Sequence, residues 1–145
     1  MKSLLFLLIC FVTVSAVSAQ VINVPDNSQK DFQERYKGAT NVKWNNNVAN
    51  YTASFKEGDI SCKAHYMIDG GWDYTEKFIH KADVPAIVSE SFTKSKYRDN
   101  KVKSIVYLEN AKKEELYRYE VKSGVTRTYV FFDKTGTLIK TNAVI

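Results

Sequence analysis

The sequence contains few cysteines, prolines and glycines: two, two and six, respectively, among 145 residues. Cys10 lies in an apolar run near the N-terminus, so the rest of the chain has a single cysteine, Cys62, and cannot form an internal disulfide bond. No linker rich in Gly, Ser or Pro divides the chain. Its stability must therefore come from packing, for which about 125 residues are sufficient.

The sequence also lacks the motifs of common catalytic sites. It has no Gly-rich phosphate loop, no Ser/His/Asp order and no paired metal motif. The net charge is +5, but the basic residues are spread along the chain and form no dense Lys/Arg stripe of the kind that binds nucleic acid. This weak basic bias favours acidic partners or an anionic cell envelope over nucleic acid.

One long apolar run is present, at the N-terminus. Lys2 precedes the apolar residues 4–14, which give way to small residues ending at Ala19. This pattern is typical of a signal peptide and is too short to span a bilayer. Lipid attachment at Cys10 is disfavoured because its neighbours are not small. We expect residues 1–19 to be removed by cleavage near Ala19, leaving a periplasmic or secreted chain without a membrane span.

Two segments about 60 residues apart are similar to each other. Val24-Pro25 with Phe32 recurs as Val84-Pro85 with Phe92. Each segment later reaches an Asp followed by Gly and an apolar residue, at Asp69 and at Asp133, where the carboxylates are expected to bond backbone amides of a turn. A repeat of this length corresponds to a whole α+β unit. We expect a first repeat over residues 20–80 and a second over residues 81–145, packed together as one compact unit.

Each repeat is expected to contain one helix and about four strands. Pro25 begins a helix that continues to about Lys37, and Pro85 begins another that continues to about Lys96. Alternating apolar residues then predict strands separated by turns. The predicted fold class is α+β, with tandem duplicated lobes in which one helix packs on a roughly four-stranded antiparallel sheet.

Several local patterns together resemble a known bacterial family. They are Val24-Pro25, Phe32, Tyr36-Lys37-Gly38-Ala39-Thr40, Val42-Lys43-Trp44 and Asp69-Gly70-Gly71-Trp72 with Thr75-Glu76. In order and spacing they resemble the beta-lactamase-inhibitor-like, PepSY-like domain over residues 22–142. The resemblance implies tandem helix-plus-sheet units exported by bacteria into the periplasm. No contact residue of a beta-lactamase inhibitor can be placed on this chain. Peptidase inhibition, which the resemblance to PepSY-type domains also suggests, is an analogy of fold class and assigns no residues.

The cysteine and the two histidines offer few candidates for chemistry. In the strand predicted over residues 60–68, the period of two places Cys62 on the apolar side as a core residue and His65 on the opposite side. His80 lies in a connecting loop without neighbours at metal-ligand spacing. We therefore predict no catalytic residue, no metal site and no cofactor.

The third strands of the two repeats suggest a binding surface. Aligning Asp69 with Asp133 places a basic, a ring-bearing and an apolar residue of each repeat on the face away from the helix. Arginine and aromatic residues are frequent anchors for protein partners. Trp72 and Tyr74 are expected to share a face of the next strand and to extend the surface. The predicted partner-binding residues are Lys63, His65, Met67, Trp72, Tyr74, Arg127, Tyr129 and Phe131.

These patterns predict an exported, non-enzymatic protein that recognises another periplasmic or secreted protein through exposed sheet faces. Three alternatives stay open. The same side chains could pack between the lobes or cover the sheet as ordinary exposed residues. A carrier of a small ligand or metal in the cleft between the lobes would require an apolar lining and a cluster of ligands. An enzyme would require a reactive Cys62 or His65.

Overall fold

The computed structural model describes residues 23–144, so the predicted signal peptide and its cleavage site lie outside the described residues. Within this range, two helices, a 3-10 turn (Lys81–Asp83) and eight strands follow one another. The elements are α1 (Asp26–Arg35), β1 (Thr40–Asn46), β2 (Asn50–Glu57), β3 (Ile60–Met67), β4 (Trp72–Phe78), α2 (Ala86–Lys94), β5 (Lys101–Asn110), β6 (Glu115–Ser123), β7 (Thr126–Asp133) and β8 (Leu138–Ala143). Among the described residues, no helix is both long enough and apolar enough to cross a membrane.

All eight strands belong to one antiparallel sheet, in which each strand pairs with its neighbours in sequence. β4 pairs with β5 through five residue pairs, from Tyr74 with Asn110 to Phe78 with Val106. The prediction of two lobes, each with its own four-stranded sheet, is therefore wrong. The protein has a mostly β fold built on a single sheet, with both helices outside it.

The β5–β6 hairpin is longer than the β1–β2 hairpin, and its additional residues pair with β4. Trp44 of β1 corresponds to Ile105 of β5: Trp44 pairs with the buried Ala53 of β2, and Ile105 pairs with the buried Tyr119 of β6. Beyond Trp44 the β1–β2 ladder continues for two residues, whereas beyond Ile105 the β5–β6 ladder continues for four. Residues 108–110, at the end of this longer hairpin, form three of the five pairs with β4. The N–H of Ala111 also donates to the Asp73 carbonyl at 2.9 Å.

Each helix begins directly after a proline. Pro25 and Pro85 are the N-cap residues of α1 and α2, with almost the same backbone angles: φ −53° and ψ 138° for Pro25, φ −54° and ψ 140° for Pro85. Proline is tolerated at a helix start because the first N–H groups have no partner within the helix. The predicted helix starts are confirmed to within one residue. Both helices end earlier than predicted, at Arg35 and Lys94.

Both helices cover the same face of the sheet, which we call the helix face. A row of directly paired residues crosses this face from Cys62 through Lys77, Tyr107 and Tyr117 to Phe132. Cys62 lies in the cluster under α1, and Phe132 lies in the cluster under α2. The cluster under α1 contains Phe32, Tyr36, Ala53, Phe55, Cys62, Ala64 and Tyr66. The cluster under α2 contains Val84, Val88, Phe92, Ile105, Tyr119, Val121, Val130 and Phe132.

The turns before β4 and β8 use aspartate in the predicted way. The carboxylate of Asp69 accepts the N–H of Gly71 at 3.0 Å. The carboxylate of Asp133 accepts the N–H groups of Thr135 at 2.8 Å and Thr137 at 2.9 Å. The hydroxyl of Thr135 also donates to this carboxylate, and this hydrogen bond, followed by those from the backbone, lowers the pKa of Asp133. The prediction that both aspartates bond following backbone amides is confirmed.

A glycine in each of these turns lets a helix approach closely. Gly70 has φ +89° and Gly136 has φ +82°, in the left-handed region that glycine adopts without strain. A Cβ added at Gly70 would collide with the side chain of Asn27 in α1, and one at Gly136 would lie 2.9 Å from the carbonyl oxygen of Ile87 in α2. The hydroxyl of Ser28 also donates to the Gly70 carbonyl at 3.0 Å. We call α1 and β1–β4 the first half of the structure, and α2 and β5–β8 the second half. Each helix is thus held against the last turn of its own half.

Candidate binding face

The other face of the sheet carries no helix in the described structure, and we call it the open face. Its residues alternate along each strand with those of the two hydrophobic clusters. Its centre consists of Lys63, His65, Tyr74, Glu76, Phe78, Val106, Leu108, Leu116, Arg118, Glu120, Tyr129 and Phe131. This centre spans strands from both halves, because β4 and β5 are paired.

Seven of the eight predicted partner-binding residues lie on the open face. They are Lys63, His65, Met67, Tyr74, Arg127, Tyr129 and Phe131. Three of them are exposed, three are half-buried, and Phe131 is only 7% exposed. The buried Phe131 offers little contact area to a partner. The binding role of the other six stays a prediction.

Trp72 lies on the helix face, so the prediction that it shares a face with Tyr74 is wrong. The β3–β4 register shifts between His65 and Tyr66, so that Tyr66 pairs with Trp72 and His65 pairs with Tyr74. The residue between Trp72 and Tyr74 forms a β-bulge, which reverses the alternation expected of a regular strand. The ring of Trp72 instead lies under the guanidinium of Arg35 in α1, at 3.9 Å.

The alignment of the two halves that matches Asp69 with Asp133 differs by two residues from the correspondence seen in the structure. The N–H of Gly70 donates to the carbonyl of Met67, and the N–H of Gly136 donates to the carbonyl of Asp133. Met67 therefore corresponds to Asp133, and the predicted correspondence of Asp69 with Asp133 is wrong. The two aspartates occupy different positions of similar turns, which misleads an alignment made on Asp. In the structure, His65 corresponds to Phe131 and Lys63 to Tyr129.

An ion pair lies at the centre of the open face and joins the two halves. Arg118 of β6 donates to the carboxylate of Glu76 in β4 at 2.9 Å, with side chains 15% and 10% exposed, respectively. The guanidinium carbon of Arg118 also lies 4.6 Å from the ring centre of Tyr129. The low exposure of both side chains strengthens the attraction between Arg118 and Glu76, and the contact with the ring adds a cation–π interaction between Arg118 and Tyr129.

Sequence reasoning missed both Glu76 and Arg118. The alternation of Arg118 with the core residues Tyr119 and Val121 would have placed it on the face away from the helix. Its pairing with Glu76 depends on β4 lying beside β5, which no local pattern indicates. The ion pair could therefore be recognised only after the sheet was known to be continuous.

A second polar and aromatic contact lies beside the ion pair. The rings of His65 and Tyr74 stack with centres 4.2 Å apart and planes inclined by 13°. Nδ1 of His65 lies 3.2 Å from the hydroxyl of Thr52. Burial lowers the pKa of His65, an effect that the nearby carboxylate of Glu76 opposes. His65 is therefore a neutral, well-packed ring at neutral pH and not an exposed base.

The other candidates for chemistry are structural. Cys62 is 2% exposed, which confirms its predicted place in the core, and burial raises the pKa of its thiol. His80 is exposed beside the 3-10 turn, as predicted. Within residues 23–144, no three His, Cys, Asp or Glu side chains gather as a metal site would require. The described residues thus contain neither an activated thiol nor a set of metal ligands.

A cleft lies on the helix face where the two halves meet. One cavity of about 420 Å³ is lined by residues that include Asp31, Arg35 and Trp72. The main side chains around it are already paired, because Arg35 forms an ion pair with Asp31 at 2.9 Å. A neighbouring cavity of about 210 Å³ contains the ion pair of Lys77 and Glu57. The lining of both cavities thus combines charged pairs with the ring of Trp72.

Comparison with known proteins shows similarity to a family and to several bacterial structures. Residues 49–140 match the family described as "Putative beta-lactamase-inhibitor-like, PepSY-like". A BLIP-like protein from Bacteroides fragilis superposes with a TM-score of 0.79 and 20% identity, covering 86% of this chain and 89% of that one. A DUF2874 family protein from Bacteroides ovatus gives 0.78 and 21%, covering 84% and 89%. No curated protein matches the chain.

A third structure, from Bacteroides eggerthii and described as periplasmic, gives a TM-score of 0.76 and 18% identity. It covers 83% of this chain and 89% of that one. At this level of identity the three structures establish similarity of fold alone. They bear out the arrangement of one sheet and two helices over most of the length of each chain.

Proposed function

Because the matched model spans residues 49–140, the chain belongs to the beta-lactamase-inhibitor-like, PepSY-like family, and we propose that it is an exported, non-enzymatic protein that binds another protein. The family resemblance expected from the sequence is thereby confirmed. The word "inhibitor" in the family description supports binding to a protein. The description specifies no partner for this chain, and the proposal names none.

The observation that carries the proposal is the composition of the open face. Arg118 is paired with Glu76 and lies over the ring of Tyr129, and no helix of the described structure covers this group. Arginine and tyrosine are enriched among the residues that dominate binding energy in protein interfaces. Such residues cost little conformational entropy on binding when they are already fixed. The open face therefore has the features of a preorganised binding surface.

Export to the periplasm is part of the same proposal. The predicted signal peptide, residues 1–19, and the description of the Bacteroides eggerthii structure as periplasmic both support it. Fractionation of the native cells, followed by N-terminal sequencing of the recovered protein, tests this part. A mature N-terminus near Gln20 in the periplasmic fraction is expected, and the intact N-terminus in the cytoplasm would contradict it.

Crosslinking in an envelope extract of the native cells tests binding through the open face. The tagged mature chain is compared with a variant that carries Arg127→Glu and Tyr129→Ser. A matched control carries Tyr97→Ser and Arg98→Glu after α2, where the tyrosine is also half-buried and the arginine also pairs with an acidic neighbour. All three proteins are first checked for folding by circular dichroism.

The expected result is one partner that crosslinks to the wild type and to the control but not to the open-face variant. Recovery of that partner by all three proteins would show that it binds elsewhere and would contradict the proposal. Recovery of the same background by all three would also contradict it. A partner lost from both variants would point to general destabilisation, which the folding check detects.

A further inference from the structure

The positive charge of the protein is concentrated on the open face. Lys2 lies outside the described residues, and eight of the other 20 basic residues lie on the open face, together with three of the 16 acidic residues. The remaining 12 basic and 13 acidic residues nearly cancel. Lys103 and Asp73, which lie in bulges and carry opposite charges, are counted among these. A surplus of five positive charges therefore belongs to the open face, although the basic residues are spread along the sequence.

The acidic residues of the open face are already engaged. Glu76 pairs with Arg118 at 2.9 Å, and Glu120 pairs with Arg127 at 3.1 Å. Asp133 accepts backbone N–H groups within its turn. Six exposed lysines remain on the open face, and none of them forms an ion pair within residues 23–144. They are Lys43, Lys56, Lys63, Lys101, Lys122 and Lys140.

The strand register places several of these charges in unfavourable contact. Lys101 lies directly opposite Lys122, and Lys122 lies directly opposite Arg127. Neighbouring strands are about 4.8 Å apart, and like charges in directly opposed positions destabilise a sheet. Within residues 23–144, Arg127 is compensated by its ion pair with Glu120, whereas Lys101 and Lys122 form no ion pair. An anionic partner would relieve the repulsion and would gain from these two lysines.

We infer that the partner of the open face presents an acidic protein surface, rich in Asp and Glu side chains. The inference rests on the proposed function and specifies the chemistry of the partner. Charges that are complementary across an interface guide the encounter and suppress wrong partners. Among the six lysines, Lys122 lies on the same strand as Arg118, Lys101 and Lys140 lie on the strands that flank β6 and β7, and the other three lie on β1–β3. The partner's acidic side chains would therefore extend across the sheet beyond the part of its surface that touches Arg118 and Tyr129.

The rings on the open face favour protein over nucleic acid. The ring of Tyr74 is stacked on His65, that of Tyr129 lies under Arg118, and that of Phe131 lies under the amine of Lys140 at 4.8 Å. Proteins that bind single-stranded nucleic acid need free ring faces on which bases stack. Val106 and Phe131 are buried, and Met67 alone among the paired residues of the open face is a large, exposed apolar side chain, which is too little for a wedge into a lipid surface.

Selection from a random peptide display library at low salt tests the inference. The wild type is compared with a variant in which Lys56, Lys63, Lys101 and Lys122 are replaced by Gln. The matched control replaces four exposed lysines outside the sheet: Lys30, Lys37, Lys81 and Lys112. Both variants lose the same charge, so a difference between them reports the position of the lysines and not the net charge. Vesicles containing phosphatidylglycerol and a single-stranded oligonucleotide serve as competing probes.

Peptides selected by the wild type are expected to be enriched in Asp and Glu over the library. Their affinity should fall at least about tenfold in the open-face variant and stay within about twofold in the control. It should also fall as NaCl rises from about 50 to about 300 mM, because salt screens exposed charges. A selection without acidic bias, or without any enriched sequence, overturns the inference. Equal binding of acidic peptides to both variants overturns it as well.

Two further results would overturn the inference in a distinguishable way. Lysine-dependent binding of vesicles or of the oligonucleotide, without binding of acidic peptides, would show that the cations serve a different class of partner. A crosslinked protein partner that is lost with Arg127→Glu, Tyr129→Ser but retained by the four-lysine variant would also overturn it. The proposed function would survive this second result, whereas a failure of the crosslinking itself would not affect the peptide selection.

Discussion

The two halves of the sheet have the same order of elements and differ most at their last strands. The outer edge of β4 is covered by β5, whereas within residues 23–144 no strand covers the outer edge of β8. The longer β5–β6 hairpin contributes to the first of these contacts, because its residues 108–110 form most of the pairs with β4. A few additional residues in one hairpin thus provide most of the pairing that joins the two halves into one sheet.

The cores under the two helices also differ in their polar contacts. Under α1, the hydroxyl of Tyr66 donates to Asp31 at 2.9 Å, and that of Tyr36 is hydrogen-bonded to Thr75. Under α2, Phe92 stacks on Tyr119 with ring centres 4.3 Å apart, and Phe132 occupies the place of Tyr66 without a hydroxyl. The second core therefore depends more completely on apolar packing than the first.

Removing a core side chain from the second half should have the largest effect and should test whether the halves unfold together. Phe132 is 1% exposed, and Phe132→Ala should lower the free energy of unfolding by about 3–5 kcal/mol. Both tryptophans, Trp44 and Trp72, lie in the first half, so their fluorescence reports on that half alone. If the sheet unfolds as one unit, the fluorescence transition in urea should shift to lower denaturant.

The control for this prediction is Val125→Ala, because Val125 is 97% exposed in the β6–β7 turn and its truncation removes almost no buried contact. It should leave the transition within about 0.5 kcal/mol of the wild type. An unchanged tryptophan transition in Phe132→Ala, together with a shifted transition in circular dichroism, would show that the halves unfold independently.

Shortening the β5–β6 hairpin should uncouple the halves directly. Replacing residues 108–116 with a two-residue Asn-Gly turn that closes the ladder at Tyr107 and Tyr117 removes three of the five pairs with β4. At about 1 kcal/mol for each lost hydrogen bond, the sheet should lose about 2–3 kcal/mol at this junction. Fluorescence and circular dichroism transitions that coincide in the wild type should then separate.

A variant changed only at Lys112→Gly and Lys113→Gly, at the tip beyond the ladder, is the control for the shortened hairpin. It retains all pairs with β4 and should keep coincident transitions. Coincident transitions in the shortened variant would mean that the remaining contacts, chiefly the Glu76–Arg118 ion pair, are sufficient to join the halves.

That ion pair can be compared with a more exposed one on the same strand. Glu76→Gln leaves Arg118 nearly buried beside a neutral partner and should cost about 2 kcal/mol. Glu57→Gln breaks the pair with Lys77, in which both side chains are about 30% exposed, and should cost less than about 1 kcal/mol. Urea unfolding of both variants measures the difference. Equal losses would show that Glu76 contributes no more than a surface charge.

Much of the local structure follows from local sequence patterns. Pro25 and Pro85 mark the helix starts, and the alternation around Cys62 and His65 assigns those side chains to the correct faces. These features depend on backbone restrictions and on the period of a strand, which act over a few residues. The same alternation placed Lys63 and Tyr129 on the face where the structure has them.

The features that sequence reasoning missed depend on contacts between distant residues or on irregular backbone. The single sheet requires β4 and β5 to meet across residues 79–100, and the Glu76–Arg118 ion pair follows from that contact. Trp72 was assigned to the wrong face because a bulge interrupts the alternation. The surplus of positive charge on the open face could not be recognised from local patterns either, because it depends on the register of all eight strands.

The smallest expected effect concerns pH and distinguishes His65 of the first half from Phe131, which corresponds to it in the second. Burial lowers the pKa of His65; Glu76 and Asp73 oppose this shift, and Lys63 and Arg118 add to it. The unfolded chain then binds a proton more readily than the folded one below about pH 6.5. Stability should therefore fall between about pH 7 and pH 5, and His65→Phe should reduce this fall. His80→Phe, at an exposed position, is the control for the loss of a histidine. Urea unfolding across this range measures the stability, and NMR titration of the His65 ring measures its pKa. A ring that titrates above about 6.5, or an undiminished fall in His65→Phe, would place the pH dependence outside the first half's open face.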